Sequence, residues 1–413
     1  MLWGYRIFIW VYGFAIRLAA PFNKKAKLWA NGRHGVFDRI KTEIDPSRPL
    51  VWMHCASLGE FEQGLPILEA SKQTYPDHVI MVTFFSPSGY EIRKNHTLPD
   101  HVFYLPEDTA GNAEKFLALT KPKLAIFVRY ELWYYYLSTL SGNGTPVILL
   151  SAIFQANKVF FKSWGGFFRK MLGFFDMIFV QDEFSKSLLE KIDLQKVKVT
   201  GDTRVDRVIK IADTPYEDKL IASFSANHKI FIAGSTWPKD EAILVPFINE
   251  LYQKRWKTII APHNIDHGLI EKLRLSLPDE TILYSDDNPE KANAAQVIII
   301  DNIGKLSKLY RFGDLVYIGG GFGVSVHNIL EAMVYNIPVI FGPNHKHIRE
   351  AVEMSKNKAC IPVNGNKELE NAFDYLTKEQ NYTASKERIA TYISNNSGAT
   401  EEVMAYLKES LDA

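Results

Sequence analysis

Leu50-Val51-Trp52-Met53-His54-Cys55-Ala56-Ser57-Leu58-Gly59-Glu60 reads as a strand that empties into a tight turn and then a helix. The run Leu50 to His54 is apolar, Ala56, Ser57 and Gly59 are small enough for the backbone to turn, and Glu60 heads a helical pattern through Phe61 to Ser71. The same alternation continues outward. Val79 to Thr83, Val102 to Leu105, Leu124 to Val128, Val147 to Leu150, Met177 to Val180 and Val197 to Thr200 read as strands, with helical patterns between them. Strands alternating with crossover helices specify a parallel sheet covered on both faces, a Rossmann-like unit. A polar stretch, Asp213 to Lys229, is the expected hinge. The pattern then restarts with strands at Ile230 to Ala233, Thr258 to Ala261, Val297 to Ile300, Leu315 to Ile318 and Pro338 to Phe341. Helices are expected at Lys239 to Gln253, Ile265 to Leu275 and Asn328 to Tyr335, and the tail from Glu368 to Leu411 is helical in pattern with breaks near Asn381 and at Asn395 to Gly398.

Length agrees with two domains, because 413 residues exceed the roughly 250 to 300 at which a single core stops growing. With 46% hydrophobic and 23% charged residues the chain lies in the globular range. The 48 basic and 47 acidic side chains leave a net charge of +1, so no global charge points to a nucleic-acid partner. Cys55 and Cys360 stand far apart without a metal-ligand spacing, which argues against a disulfide framework or zinc site and fits a reducing compartment.

The N-terminus differs from this average. Leu2 to Phe22 is aromatic and aliphatic, interrupted by Arg6 and Arg17, with ten uncharged residues between them. A spanning helix needs about 20 mostly apolar residues, so this segment spans only if both arginines snorkel to opposite interfaces. An in-plane anchor is the preferred reading: Trp3, Tyr5, Trp10 and Tyr12 suit the headgroup layer, and Lys24, Lys25, Lys27 and Arg33 suit anionic lipid. A cleaved signal peptide and burial against the protein's own core are the alternatives. The basic-aromatic run Phe160 to Phe175, with Lys162, Arg169 and Lys170, is read partly as core and partly as a lipid-facing surface.

Ligands of open parallel sheets bind outside the carboxyl ends of the strands, so the post-strand loops are the places to look. At Glu60 a carboxylate meets a helix N-terminus; a residue that only complements the helix dipole is the plain alternative. Gly234-Ser235-Thr236 can hold a phosphate on hydroxyl and amide groups, or be ordinary turn and cap chemistry. Gly319-Gly320-Gly321-Phe322-Gly323 leads into His327, Asn328 and Glu331, a place for a phosphate and for a carboxylate that accepts from sugar hydroxyls. Its glycine spacing is not that of a dinucleotide fingerprint, which argues against dehydrogenase chemistry.

Taken in order, these residues resemble the Kdo (3-deoxy-D-manno-octulosonic acid) transferases of lipopolysaccharide assembly. The family's His-x-x-Ser-x-Gly-Glu is matched by His54, Ser57, Gly59 and Glu60, and its His-Asn-x-Leu-Glu by His327, Asn328, Ile329, Leu330 and Glu331. Further matches are Ser86-Pro87-Ser88-Gly89, Tyr104-Leu105-Pro106, Glu131-Leu132-Trp133, Val199-Thr200-Gly201, Gly234-Ser235-Thr236 and Pro338 to Pro343.

The resemblance implies an α/β, GT-B-type fold of two Rossmann-like domains facing a central cleft, with an N-terminal membrane-anchor helix. Residues 1–22 would be the anchor, 30–208 the acceptor-binding domain, 215–395 the CMP-sugar-binding domain and 396–413 a C-terminal helix. It implies inverting transfer of Kdo from CMP-Kdo to a lipid A precursor (lipid IVA) at the cytoplasmic face of the bacterial inner membrane, with Glu60 as base. Donor binding would fall to Ser235, Thr236, Pro262, His263, Gly319, Gly320, Gly321, His327, Asn328 and Glu331. Acceptor or Kdo binding would fall to Ser57, Gly59, Ser86, Ser88, Gly89, Arg129, Glu131 and Arg204. Neither a metal nor a cofactor is expected, and no nucleic acid. The chain departs from the family at Arg129, where many members carry glutamate, and at Pro262-His263-Asn264-Ile265-Asp266-His267, where many carry arginines. Arg204 stands where the family has lysine. Another GT-B enzyme using a UDP-sugar, a nucleotide-sugar epimerase, and a non-catalytic nucleotide-binding protein are the rivals.

Overall fold

The computed structural model describes residues 1–251 and 255–412. The chain divides into two units, Met1–Asp206 with Asn396–Ala413, and Arg207–Asn395. In the first, β1 (Leu50–Cys55), β2 (Val79–Phe84), β3 (His101–Tyr104), β4 (Leu124–Val128), β5 (Val147–Ala152), β6 (Met177–Val180) and β7 (Val197–Val199) form one sheet, in the order β3-β2-β1-β4-β5-β6-β7. All pairings are parallel. The strands are apolar without interruption because both faces are covered. Leu50 and Trp52 pack into one layer with Phe116 and Phe127, while Val51, Met53 and Cys55 pack into the other with Phe61 and Phe84. That alternation puts the His54 side chain on the Trp52 face, buried at the strand's carboxyl end.

The second unit repeats the plan with β8 (Lys229–Thr236), β9 (Trp256–Pro262), β10 (Thr281–Leu283), β11 (Val297–Ile299), β12 (Leu315–Ile318), β13 (Val339–Phe341) and β14 (Cys360–Pro362). Their order is β10-β11-β9-β8-β12-β13-β14, again parallel. The edge strands β10 and β14 had no counterpart in the sequence reading: Thr281–Leu283 and Cys360–Pro362 contain Thr281, Cys360 and Pro362 in place of the continuous apolar run that marks β11 and β13. The helix expected at Lys239 to Gln253 is Pro238–Leu251; the remainder of that expectation lies outside the described residues. The helix expected from Asn328 begins only at Leu330, since Asn328 Oδ1 accepts the Leu330 N–H at 3.2 Å and sits outside the first turn. The break expected near Asn381 falls instead between Leu376 and Glu379.

Two terminal segments dock on the first unit. The helix Ala399–Asp412 puts Val403 and Leu407 into the layer that holds Phe61 and Leu68, and Asp206 accepts from the Gly398 and Thr400 amides at 2.7 and 2.6 Å. The helix Leu2–Ala19 is held by polar contacts: Tyr5 donates to Asp108 at 2.5 Å, Arg6 donates to the Tyr135 hydroxyl, and Arg17 pairs with Glu107 at 2.6 Å. Both arginines are thus engaged on the protein rather than held at two interfaces, and among the described residues no helix is long and apolar enough to cross a membrane. The opposite side of this helix exposes Trp3, Phe8, Trp10, Phe14 and Leu18. The aromatic run downstream divides between core and surface, with Phe160 and Phe175 buried and Trp164 exposed.

Candidate active site

Each sheet has a switch point beside its first strand, between β1 and β4 in the first unit and between β8 and β12 in the second. The crevice outside the carboxyl ends of such strands is where open α/β sheets bind ligands. The sequence-selected residues gather at these two places. Among the residues with left-handed backbone are Arg129, Ser151 and Ser235, each at or near the carboxyl end of a strand, with φ of +64°, +51° and +54°.

In the first unit Ser57 caps the helix Leu58–Thr74, and Glu60 closes the capping box. Glu60 Oε2 accepts from the Ala56 amide and, at 3.1 Å, from the Ser57 amide. The helix-cap reading of Glu60 is therefore a structural fact, and it does not exclude a second role, since both bonds fall on one oxygen. Burial pushes the Glu60 carboxyl up to about 8, assisted by the negative charge of Glu131; the two amides and Arg129 act in the opposite direction. Ser86 and Ser88 lie at the head of the neighbouring helix, their hydroxyls 3.0 Å apart. A Cβ on Gly89 would stand 3.1 Å from the Ser57 carbonyl carbon, so the absence of a side chain lets this loop close on the Glu60 turn.

Glu131, in the loop after β4, terminates a hydrogen-bonded line in which Thr83 is the member that no motif had marked. Trp52 Nε1–H donates to Thr83 Oγ1 at 2.8 Å, and the Thr83 hydroxyl lies 2.9 Å from His54 Nδ1. His54 Nε2 stands 3.1 Å from Glu131 Oε2, which also accepts from Trp133 Nε1–H at 2.8 Å. Trp133 Nε1 also lies 3.0 Å from His54 Nε2, so the indole donor is shared between the carboxylate and the imidazole. Thr83 and Trp52 belong to different strands, so no local motif linked them to Glu131. Asp202 and Arg204, after β7, pair with each other: Arg204 Nε and Nη2 donate to Asp202 Oδ2 at 2.9 and 2.6 Å.

This arrangement makes a pH prediction. A base whose carboxyl lies near 8 gives kcat/KM a rising limb through that pH, and removing the Glu131 charge lowers the limb. Glu131→Gln is expected to move it toward acid by about one unit. A pH profile of kcat/KM in which the variant keeps the parental limb would overturn the electrostatic link.

In the second unit the turn after β8 and the glycine loop after β12 lie together. The amides of Gly319 and His263 donate to the carbonyls of Gly234 and Thr236 at 2.9 and 2.8 Å, and the His327 amide donates to the Gly319 carbonyl at 3.0 Å. Gly320 adopts φ +91°, and a Cβ on Gly321 would stand 2.6 Å from the backbone of Gly342. Fully buried Asp240, which the sequence reading did not select, holds this junction. Its carboxylate accepts from the Tyr317 hydroxyl at 2.8 Å, the Gly320 amide at 2.9 Å and the Trp237 amide at 3.0 Å. Two of the turn amides expected to meet a phosphate are thus already engaged. Thr236 is also engaged, donating to Glu241 at 3.0 Å, whereas Ser235 is half-buried.

The rings of Trp237, His263 and His327 are stacked: His263 lies 4.6 Å from Trp237 and 4.5 Å from His327. Trp237 Nε1–H donates to His327 Nε2 at 2.9 Å, which leaves the His327 proton on Nδ1. Burial, and then His263, lower the His327 imidazole, so the neutral form is favoured. Asn328 Nδ2 donates to Glu331 at 3.2 Å. Pro262 ends β9 beside His263.

Comparison with known proteins agrees with this geometry. The family profile described as "3-Deoxy-D-manno-octulosonic-acid transferase (kdotransferase)" matches residues 31–207. A 3-deoxy-D-manno-octulosonic acid transferase of Rickettsia felis is 25% identical over 390 residues, covering 91% of this chain and 82% of the relative. One of Chlamydophila psittaci is 28% identical over 331 residues, 76% and 74% of the two chains. In fold, the chain is similar to the UDP-GlcNAc 2-epimerase of Neisseria meningitidis bound to UDP-GlcNAc, with a TM-score of 0.60 at 14% identity over 87% of this chain and all of that one. It is similar also to a glycosyltransferase of Rickettsia africae, with a TM-score of 0.53 at 13% identity over 88% and 99%. The two parallel seven-stranded sheets have the GT-B-type architecture that these neighbours share. Over residues 31–207 the chain matches the Kdo transferase profile, and it is similar to the curated Kdo transferases over most of its length.

Proposed function

We propose that this enzyme transfers Kdo from CMP-Kdo to a lipid A precursor, lipid IVA, with inversion at the Kdo anomeric carbon and Glu60 as general base. The observation that carries the mechanism is the half-buried Glu60 carboxylate at the switch point of the first sheet, raised by burial and by Glu131 into the range where it can take a proton near neutral pH. A sugar hydroxyl is a poor nucleophile until a carboxylate accepts its proton during attack. In the proposed step that proton passes to Glu60, the acceptor oxygen bonds to the Kdo anomeric carbon, and the bond from that carbon to the CMP phosphate oxygen breaks. Donor binding is assigned to the second unit. Ser235 and the stacked imidazoles of His263 and His327 supply hydrogen bonds for the phosphate, and the glycine loop leaves room for it.

Transfer from freshly generated CMP-Kdo to tetraacylated lipid A precursor in detergent tests this reading, with product mass counting the Kdo units. Consumption of a UDP-sugar with no consumption of CMP-Kdo would reject it. The resemblance to UDP-GlcNAc 2-epimerases concerns the fold alone, and a donor screen separates the two chemistries.

The enzyme is proposed to work at the cytoplasmic face of the bacterial inner membrane, with the helix Leu2–Ala19 lying in the interface plane. Its outward Trp3, Phe8, Trp10, Phe14 and Leu18, followed by Lys24, Lys25 and Lys27, support that placement. Replacing Trp3, Trp10 and Phe14 together by serine is expected to weaken binding to anionic vesicles at least tenfold in a sedimentation assay. Unchanged binding would remove this helix from the membrane contact.

A further inference from the structure

The carboxyl end of β4 presents an arginine without a partner. Arg129 is half-buried, its Nε is sealed from solvent, and its guanidinium makes no hydrogen bond or ion pair among the described residues. Its backbone holds φ +64° in spite of the side chain, a strained conformation that persists where the surrounding fold aims a residue. The neighbouring cation is spent: Arg204 donates from Nε and Nη2 to Asp202 Oδ2 and from its backbone amide to Oδ1. The charge of Arg129 reaches both carboxyls of this pocket, opposing the burial that raises Glu60 and joining Arg204 in holding Asp202 low in spite of burial. It bonds to neither.

A guanidinium carries five donors in a rigid fork and no acceptor, and partly removed from water it is matched by a carboxylate or a phosphate. We propose that Arg129 binds an anionic group of a sugar substrate, a carboxylate or a phosphate monoester, beside Glu60, and so fixes the orientation of the sugar that reacts there. The proposal rests on the reading of the reaction given above, which supplies both chemistries: the transferred sugar is an acid, and the acceptor is phosphorylated.

The test uses the full chain with Arg129→Gln and Arg129→Lys. Arg129→Gln is expected to raise the KM of one substrate at least tenfold with kcat changed less than threefold, and Arg129→Lys to recover part of the loss. If the donor KM moves, the anion is the Kdo carboxylate. If the acceptor KM moves, and enzymatic removal of the acceptor phosphates abolishes the difference between parent and variant, it is a phosphate. Both KM values within twofold of the parent, in a variant with parental melting temperature, overturn the proposal, as does an effect confined to kcat. Should the parent fail to consume CMP-Kdo, the reaction assignment fails separately. Arg129 is then judged by melting curves with free Kdo and with inorganic phosphate: stabilisation of the parent alone supports the site, and equal shifts in parent and Arg129→Gln overturn it.

Discussion

Glu60→Gln is expected to reduce turnover about 10²- to 10⁴-fold, the usual contribution of a positioned general base. Glutamine is nearly isosteric, and its amide oxygen still accepts from the Ala56 and Ser57 amides, so the cap of the helix Leu58–Thr74 survives. What is lost is the capacity to take a proton. The same substitution is expected to stabilise the fold at alkaline pH, and the sign follows from linkage. Burial, with the Glu131 charge, raises the folded-state carboxyl from an ordinary 4.5 to about 8. A group raised on folding contributes stability that is complete below its unfolded value and is lost as pH climbs through the folded one. The parent should therefore weaken between about pH 4.5 and 8 relative to the variant, by on the order of 4 kcal/mol at the upper end. Urea midpoints of both proteins at pH 5 and pH 8, beside turnover with CMP-Kdo, measure the two effects. Retained turnover with an unchanged pH profile would leave Glu60 only its capping role.

Asp240→Asn is expected to weaken CMP binding more than tenfold and to destabilise the second unit by about 2–4 kcal/mol. Every recorded partner of this carboxylate is a donor: the Tyr317 hydroxyl and the amides of Gly320 and Trp237. An asparagine offers one oxygen and one NH₂ group, so at least one donor faces another donor in a site closed to water. The Gly320 and Trp237 amides share Oδ2, and the glycine loop and the turn after β8 are thereby tied to one atom. Turning the NH₂ group toward them separates the loops; turning it the other way confronts Tyr317. Calorimetric titration with CMP and thermal unfolding read the two consequences. Parental affinity in Asp240→Asn would mean that the loops hold each other through their backbone bonds alone.

Of the candidate site, the local part was legible in the chain. Glu60, Ser235 and Gly319 to Gly321 each follow an apolar run directly, and a strand–turn–helix signal needs only neighbouring residues. The second sheet's outer strands were not legible: Thr281–Leu283 and Cys360–Pro362 acquire their identity from pairing at an edge, not from a period of their own. His54 was found through a motif, yet its proton position depends on Thr83 and Glu131, 29 and 77 residues away.

The sequence by itself determined two α/β units, the order of their strands along the chain, an aromatic N-terminal helix and the loops in which the polar residues stand. Those properties are set by residues a few positions apart, through hydrophobic periodicity and the small side chains that permit turns. Only the tertiary structure decided how the charges are matched. It paired Arg204 with Asp202, left the Arg129 guanidinium without a hydrogen-bond or ion-pair partner among the described residues, brought Glu131 close enough to raise Glu60, and tied the glycine loop to Asp240. The reason is physical: a hydrogen bond or a charge interaction depends on separation in space and on exclusion of water, and neither is a function of distance along the chain.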